Sequence, residues 1–229
     1  MSPAAIARRR RKEVRRAEIL AAARHVFAAR PFEKAAISEI AARAGCVEGT
    51  IYTYFRNKRD LFDEVLAQFY DRLIPDIEQR FDAIQGTRDR LSFLVARQFQ
   101  IALDDPDVGR MIMRESRSQS LYFGSKLHAL NRRYSRFLQR TISDGIDRGE
   151  LRGDLDRVMA RDLVFGGIEH WVWNELGRQR SIDPLKAANT MVGMLLQGWQ
   201  APAGSGPLDV LVRRMDRLEA RVNSSGRQK

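Results

Sequence analysis

Apolar residues recur at intervals of three and four along almost the whole chain, and no run of alternating β-branched residues breaks the pattern. That spacing turns one face of an α-helix toward a core, whereas a half-buried strand needs alternation. The expected fold class is therefore all-α, with about nine helices. Ile19, Leu20, Ala23, Val26 and Phe27 predict a first amphipathic helix, ended near Pro31. Ile37, Ile40, Ala41 and Ala44 predict a short second helix stopped by Gly45, and Val47–Phe55 a third. Asn57 followed by Asp60 reads as an N-cap with a box-like partner. It opens a long fourth helix through Leu61, Phe62, Val65, Leu66 and Phe69, which Pro75 is expected to kink or end.

Beyond Gly86, Leu91–Leu103 is expected to be helical and to stop at the turn Asp104–Asp105–Pro106–Asp107, where Asp104 or Asp105 caps rather than binds metal. Leu127–Ile146 predicts another amphipathic helix, closed by turns at Gly149 and Gly153. Leu155–Leu176 and Pro184–Trp199 follow, apolar on several faces. Ala201–Pro207 reads as a linker. After it, Leu208, Leu211, Met215, Leu218 and Val222 keep heptad spacing, which fits either a short extra dimer coil or a helix docked on its own chain. Thr190–Leu208 is uncharged, but its glutamines, glycines and prolines make it unsuited to crossing a membrane.

The spacing Ala41-x3-Gly45-x5-Ile51 is what two helices crossing over a tight turn require: a small residue for close approach, a glycine for the turn, and an aliphatic residue to lock the second helix. On that second helix Ile51 and Phe55 face inward, leaving Glu48, Gly49, Thr50, Tyr52, Thr53 and Tyr54 at the outer face or N-terminal end. A helix held this way lies in the major groove of DNA and reads base edges with its N-terminal residues. An ordinary helical hairpin whose tyrosines cap a core has the same spacing. Charge separates the two. Of the formal net charge of +11, residues 1–60 carry +8, from 14 Lys/Arg against 6 Asp/Glu, so the basic excess is concentrated around this motif. Lys58 adds a cation at the start of the next helix. Arg8–Lys12, with Arg15 and Arg16, reads either as an arm before the first helix that reaches the minor groove or as a solvated charge run.

Little else carries chemistry. The single cysteine, Cys46, excludes an internal disulfide and fits a reducing cytoplasm, where the protein is expected to reside. No apolar leader follows Arg8–Lys12. His25, His128 and His170 lie far apart without ligand spacing, and no nucleophile elbow, phosphate-cradling loop or paired-cysteine motif occurs. No enzyme, metal site or cofactor is expected.

Ile37–Lys58, ISEIAARAGCVEGTIYTYFRNK, resembles the N-terminal signature of the TetR family of bacterial transcriptional regulators, the likeness being specific over about residues 15–65. It implies a three-helix DNA-binding head, residues 1–60 with the arm, on a helical ligand-binding and dimerisation body, residues 61–200, followed by a linker and tail, 201–229. By position, Ser38, Glu48, Gly49, Thr50, Tyr52, Thr53, Tyr54 and Lys58 would face a double-stranded operator. Three departures bear on which operator: Val47 stands where a small polar cap is common, Glu48 replaces a frequent Lys, Gln or Pro, and Ala35 with Ala36 replace threonines that often cap the second helix.

Operator half-sites one helical turn apart require two heads, hence a homodimer. Leu163, Val164, Phe165, Ile168, Val172, Met191, Leu195 and Leu196 exceed what one buried stripe needs, and the resemblance implies that the last two long helices pair across a two-fold axis, with Gly166 and Gly167 allowing close packing. Gly145–Leu155, Ala160–Ile168 and Met113–Leu121 are similar to TetR-type repressors of fatty-acid degradation, which leave DNA on binding long-chain acyl-coenzyme A. Physically, Phe69, Phe93, Phe99, Met111, Phe137 and Phe165 suit a tunnel for an acyl chain, with Arg117 or Arg133 toward phosphates, although each of these apolar residues taken singly reads rather as core. The expected function is a ligand-responsive repressor, the effector being an acyl-CoA or another hydrophobic molecule. The other class considered is a helical lipid-binding protein whose basic region meets anionic membranes.

Overall fold

A computed structural model describes residues 2–118, 122–201, 212 and 215, the first helical residues Pro3 and Ala4 by backbone alone. Among the described residues lie nine α-helices: α1 (Pro3–Ala29), α2 (Ile37–Arg43), α3 (Glu48–Tyr52), α4 (Lys58–Phe81), α5 (Thr87–Asp104), α6 (Pro106–Ser116), α7 (Lys126–Asp147), α8 (Arg157–Gly177) and α9 (Pro184–Trp199). A single 3₁₀ turn, Phe32–Lys34, precedes α2. The one extended pairing described is an isolated bridge between Leu151 and Gln200. The tail heptad lies outside the described residues except for Met215, as does the linker beyond Ala201.

The start of α4 shows why the sequence signals work. Asn57 Oδ1 accepts the Asp60 amide at 2.8 Å, and the Asp60 carboxylate accepts the Arg56 amide at 3.0 Å. The first satisfies a donor that a helix start otherwise leaves open, and the second ties Asp60 back to the residue before the cap. Pro75 lies inside α4, exposed, and the helix continues past it to Phe81. The Asp104–Asp107 turn is tighter than expected, because Asp105 at once caps a new helix, α6, accepting the Val108 amide at 3.1 Å with Pro106 in the first turn. The spacing of buried Val108, Met111 and Glu115 carried that signal.

The chain forms two compact units, residues 1–77 with 103–134 and residues 78–102 with 135–229. In the first, α1 packs on α2 and α6, and α2 on α3. Its core holds Phe27 and Phe62, edge-on at 5.0 Å, with half-buried Phe32 in ring contact with both. Polar bonds fasten α6 to the head: Arg24 to Asp105 at 2.6 Å, Arg114 to the Ala28 carbonyl at 2.9 Å, and Arg59 to the buried Glu115. The expected head, residues 1–60, lies within this unit, which also takes in most of α4 and all of α6.

In the second unit Arg90 is buried, bonded to Asp144 at 2.8 Å and the Ile84 carbonyl at 2.8 Å, with its guanidinium 4.9 Å from the Phe81 ring centre. At Gly145 any side chain would collide, since a Cβ there would lie 2.6 Å from Thr87 Oγ1. On α8, Ala160, Val164, Ile168 and Val172 are buried, and on α9 Ala188, Val192, Leu196 and Trp199. Leu163, Met159, Trp173, Leu176 and Met194 remain exposed.

Candidate nucleic-acid interface

The turn between α2 and α3 closes through the main chain. Gly45 adopts φ +63°, its amide bonds the Ala42 carbonyl at 3.2 Å, and the Cys46 amide bonds the Ala41 carbonyl at 3.0 Å. This is a Schellman end, which needs a left-handed residue and so glycine. A Cβ at Gly45 would meet nothing within 4 Å, so the requirement is backbone conformation rather than space.

The chain turned this way presents a short α3. The expected helix, Val47–Phe55, is corrected at both ends. Val47 is the N-cap, without a side-chain bond, and regular helix stops at Tyr52. Past it the Thr53 and Tyr54 amides bond carbonyls three residues back, which tightens the last turn, while the Phe55 amide reaches Ile51 at 3.0 Å. Ile51 is 1% and Phe55 3% exposed, whereas Tyr52 is 51% exposed. Glu48, Gly49, Thr53 and, on α2, Ser38 are exposed; Thr50, Tyr54 and Lys58 are half-buried. The Thr53 hydroxyl donates to the Thr50 carbonyl at 2.7 Å, so its donor is already used.

Lys58 is anchored as well as charged. Its ammonium donates to the carbonyls of Ala35, at 2.9 Å, and Glu33, at 3.3 Å, and lies 4.6 Å from the Phe32 ring centre. It thereby fixes the approach to α2, whose N-cap, Ala36, offers no side-chain bond.

Of the two readings of Arg8–Lys12, an arm or a solvated charge run, the arm ahead of the first helix is not found. α1 begins at Pro3, so Arg8–Lys12 is helical. Proline is favoured in a first turn, and Arg, Lys and Ala are good helix formers. Three basic residues of α1, named from sequence only as part of that charge run, hold the motif. Arg15 donates to the Ala44 carbonyl at 3.1 Å; Arg16 pairs with Glu64 at 2.6 Å and stacks over Phe55; and Lys12 lies 6.0 Å from the Tyr54 ring centre. A signal for them was present, since Arg15 continues the three-and-four spacing upstream of Ile19.

The residues expected around an effector divide between the units. Phe69, Met111, Arg117 and Arg133 belong to the first, with Met111 buried, Phe69 and Arg133 half-buried and Arg117 exposed as the C-cap of α6. Phe93, Phe99, Phe137 and Phe165 belong to the second; Phe99 is buried against Trp171, and Phe137 packs edge-on against Phe81 at 5.4 Å. Among the described residues no cluster of three or more His, Cys, Asp or Glu could hold a metal, and no helix is long and apolar enough to cross a membrane.

A glycine-turned helix pair locked by Ile51 and Phe55, with a polar outer face in a basic setting, defines a helix-turn-helix DNA-binding transcription regulator. Residues 19–65 match the model for bacterial regulatory proteins of the tetR family, and residues 62–198 that for the C-terminal region of YsiA-like proteins. The chain belongs to the TetR family, with a YsiA-like C-terminal region. It is 29% identical to the fatty acid metabolism regulator protein of Bacillus subtilis over 79% of this chain and 93% of the relative. It is 26% identical to the transcriptional repressor KstR2 of Mycobacterium tuberculosis over 76% of this chain and 85% of that one. Among solved structures, FadR from Bacillus subtilis in complex with stearoyl-CoA superposes with a TM-score of 0.70 at 25% identity, covering 79% of this chain and 97% of that one.

Proposed function

We propose that this regulator is a cytoplasmic homodimeric repressor that inserts one α3 into each of two successive major grooves and leaves the operator when a long-chain acyl-CoA, or a related hydrophobic effector, occupies its body. The observation that carries the DNA reading is the division of α3 and the turn after it between buried Ile51 and Phe55 and the exposed Glu48, Gly49, Tyr52 and Thr53. Ser38, Thr50, Tyr54 and Lys58 complete the set assigned to the operator. Tyrosine and threonine hydroxyls suit phosphates, and a threonine also offers a methyl to thymine. Exposed Leu163, Trp173 and Met194 on α8 and α9 support pairing of two chains through those helices. The effector is argued from relatedness to the fatty acid metabolism regulator and to the protein solved with stearoyl-CoA. It can shift the operator equilibrium only by the ratio of its affinities for the bound and released forms.

Selection of duplexes from a random pool, repeated with stearoyl-CoA and with coenzyme A alone, tests both parts. One palindromic sequence is expected to emerge and to be lost with stearoyl-CoA but not with coenzyme A. A pool that never converges rejects operator recognition. A pool that converges identically under all three conditions rejects the effector.

A further inference from the structure

We infer a further DNA-contacting element, resting on the operator reading above: a basic stripe on the first turns of α1, centred on Arg8 and Arg11, that runs over the sugar-phosphate backbone beside the groove occupied by α3 and enters neither groove. The stripe follows from the register of α1. Arg8, Lys12 and Arg15 lead by steps of four and three into Ile19, Ala23 and Val26, and Arg11 stands one turn before Arg15. Such steps keep residues on one face. From Ile19 onward this row is buried in the head; before it the row is basic, with Arg8, Arg11 and Lys12 exposed.

The stripe therefore looks toward the side on which α2 and α3 lie. Its inner end confirms the direction, because Arg15 reaches the Ala44 carbonyl at the end of α2 and Lys12 approaches the Tyr54 ring just past α3. Arg8 lies four residues further out, about 6 Å along the axis at 1.5 Å per residue. The row thus extends outward beyond its two contacts with the motif. On α1 itself Glu13 pairs with Arg9 at 2.9 Å away from the row, and Glu18 pairs with Arg15 at 2.9 Å at its inner end; among the described residues neither Arg8 nor Arg11 has an ion-pair partner.

Size decides which part of DNA these guanidinium groups meet. A helix with side chains is about 10–12 Å across, while the minor groove is about 6 Å wide. A helical Arg8–Lys12 cannot enter it as an extended arm could. With the major groove filled by α3, the accessible partner is the row of phosphates between the grooves, for which the planar five-donor fork of arginine is well matched. Such contacts strengthen binding to any sequence and leave base preference untouched.

The test compares two double variants of equal charge. R8Q/R11Q removes the stripe; R9Q/R10Q removes two cations from other faces of the same helix. Each is titrated on the selected operator and on a random duplex across a salt series, with thermal unfolding as a control. Two residues in each of two protomers release up to four phosphate contacts, so R8Q/R11Q is expected to flatten the slope of log K against log salt by about 3 to 4. The ratio of operator to random affinity should stay unchanged, and R9Q/R10Q should lose less than half as much slope. Equal losses in both variants overturn the stripe, as does a fall in operator preference, which would mean base contacts. So does an unaltered salt slope accompanied by lost binding to phosphatidylserine vesicles, which would assign the stripe to a membrane. A wild-type protein that favours no duplex fails the operator reading itself, and the stripe with it.

Discussion

The ammonium of Lys58, at the first position of α4, donates to the carbonyl of Ala35 at 2.9 Å. With the bond to Glu33, this ties the segment before α2 to the start of α4. Lys58→Met removes two charge-assisted bonds and is expected to cost about 2 kcal/mol of stability in denaturant titration, in addition to weakening operator binding. Lys58→Arg should recover only part of this, since a planar fork does not reproduce the point-like contact of an ammonium with two carbonyls and the Phe32 ring. Unchanged stability in Lys58→Met would show that the lysine serves DNA alone.

Gly45 and Gly49 are four residues apart and should respond in opposite ways. Both have open space where a Cβ would go, but only Gly45 has positive φ. Gly45→Ala is expected to destabilise the protein by about 1–2 kcal/mol through left-handed strain. Gly49→Ala, inside α3, should leave stability unchanged or raise it by up to about 1 kcal/mol, while reducing operator affinity by crowding the groove. Calorimetry paired with operator titration separates the two effects.

The exposed apolar side chains of α8 predict the assembly. Leu163 is 54% and Trp173 61% exposed in the single chain. A charge buried at a dimer contact has no partner and strongly opposes association. Leu163→Glu is expected to give a folded monomer by analytical ultracentrifugation, with operator affinity reduced at least a hundredfold. A dimer that survives the substitution would place the contact elsewhere.

Acid stability should depend on Glu64, which joins α4 to α1 through Arg16. Partial burial raises its carboxyl pKa, but the Arg16 bond and charge, with help from Lys126, more than offset this and leave it below the ordinary value. A depressed pKa means stability that is complete above the unfolded value of about 4.3 and is lost as pH falls through the folded one. Wild type should therefore lose more stability than Glu64→Gln between pH 5 and pH 3, and the two urea midpoints should converge at the acid end.

Much of this architecture was legible because helices announce their ends locally. Asn57 with Asp60, Gly45 after Ala44, and Pro184 at the start of α9 each act within four residues. The buried row on α1 and the inward pair Ile51 and Phe55 followed from periodicity. What the sequence concealed depends on distance along the chain. Lys58 looked like a free cation because its acceptors, Glu33 and Ala35, lie more than twenty residues away. Arg8–Lys12 reads as an arm or a charge run because charge masks helical register when no apolar residues mark it. α6 is hidden because an aspartate turn that stops one helix has the same residues as one that starts the next, and Asp105 caps α6.

Operator recognition by this protein requires that α3 occupy the major groove twice in each assembly. Dimethyl sulfate footprinting reads this directly, since it methylates guanine N7 on the major-groove edge. On the selected operator, wild type should protect two clusters of guanines about one helical turn apart, or a multiple of that, and the folded Tyr52→Ala variant should lose protection in both. A single cluster, or protection unchanged by Tyr52→Ala and Thr50→Ala together, would contradict it.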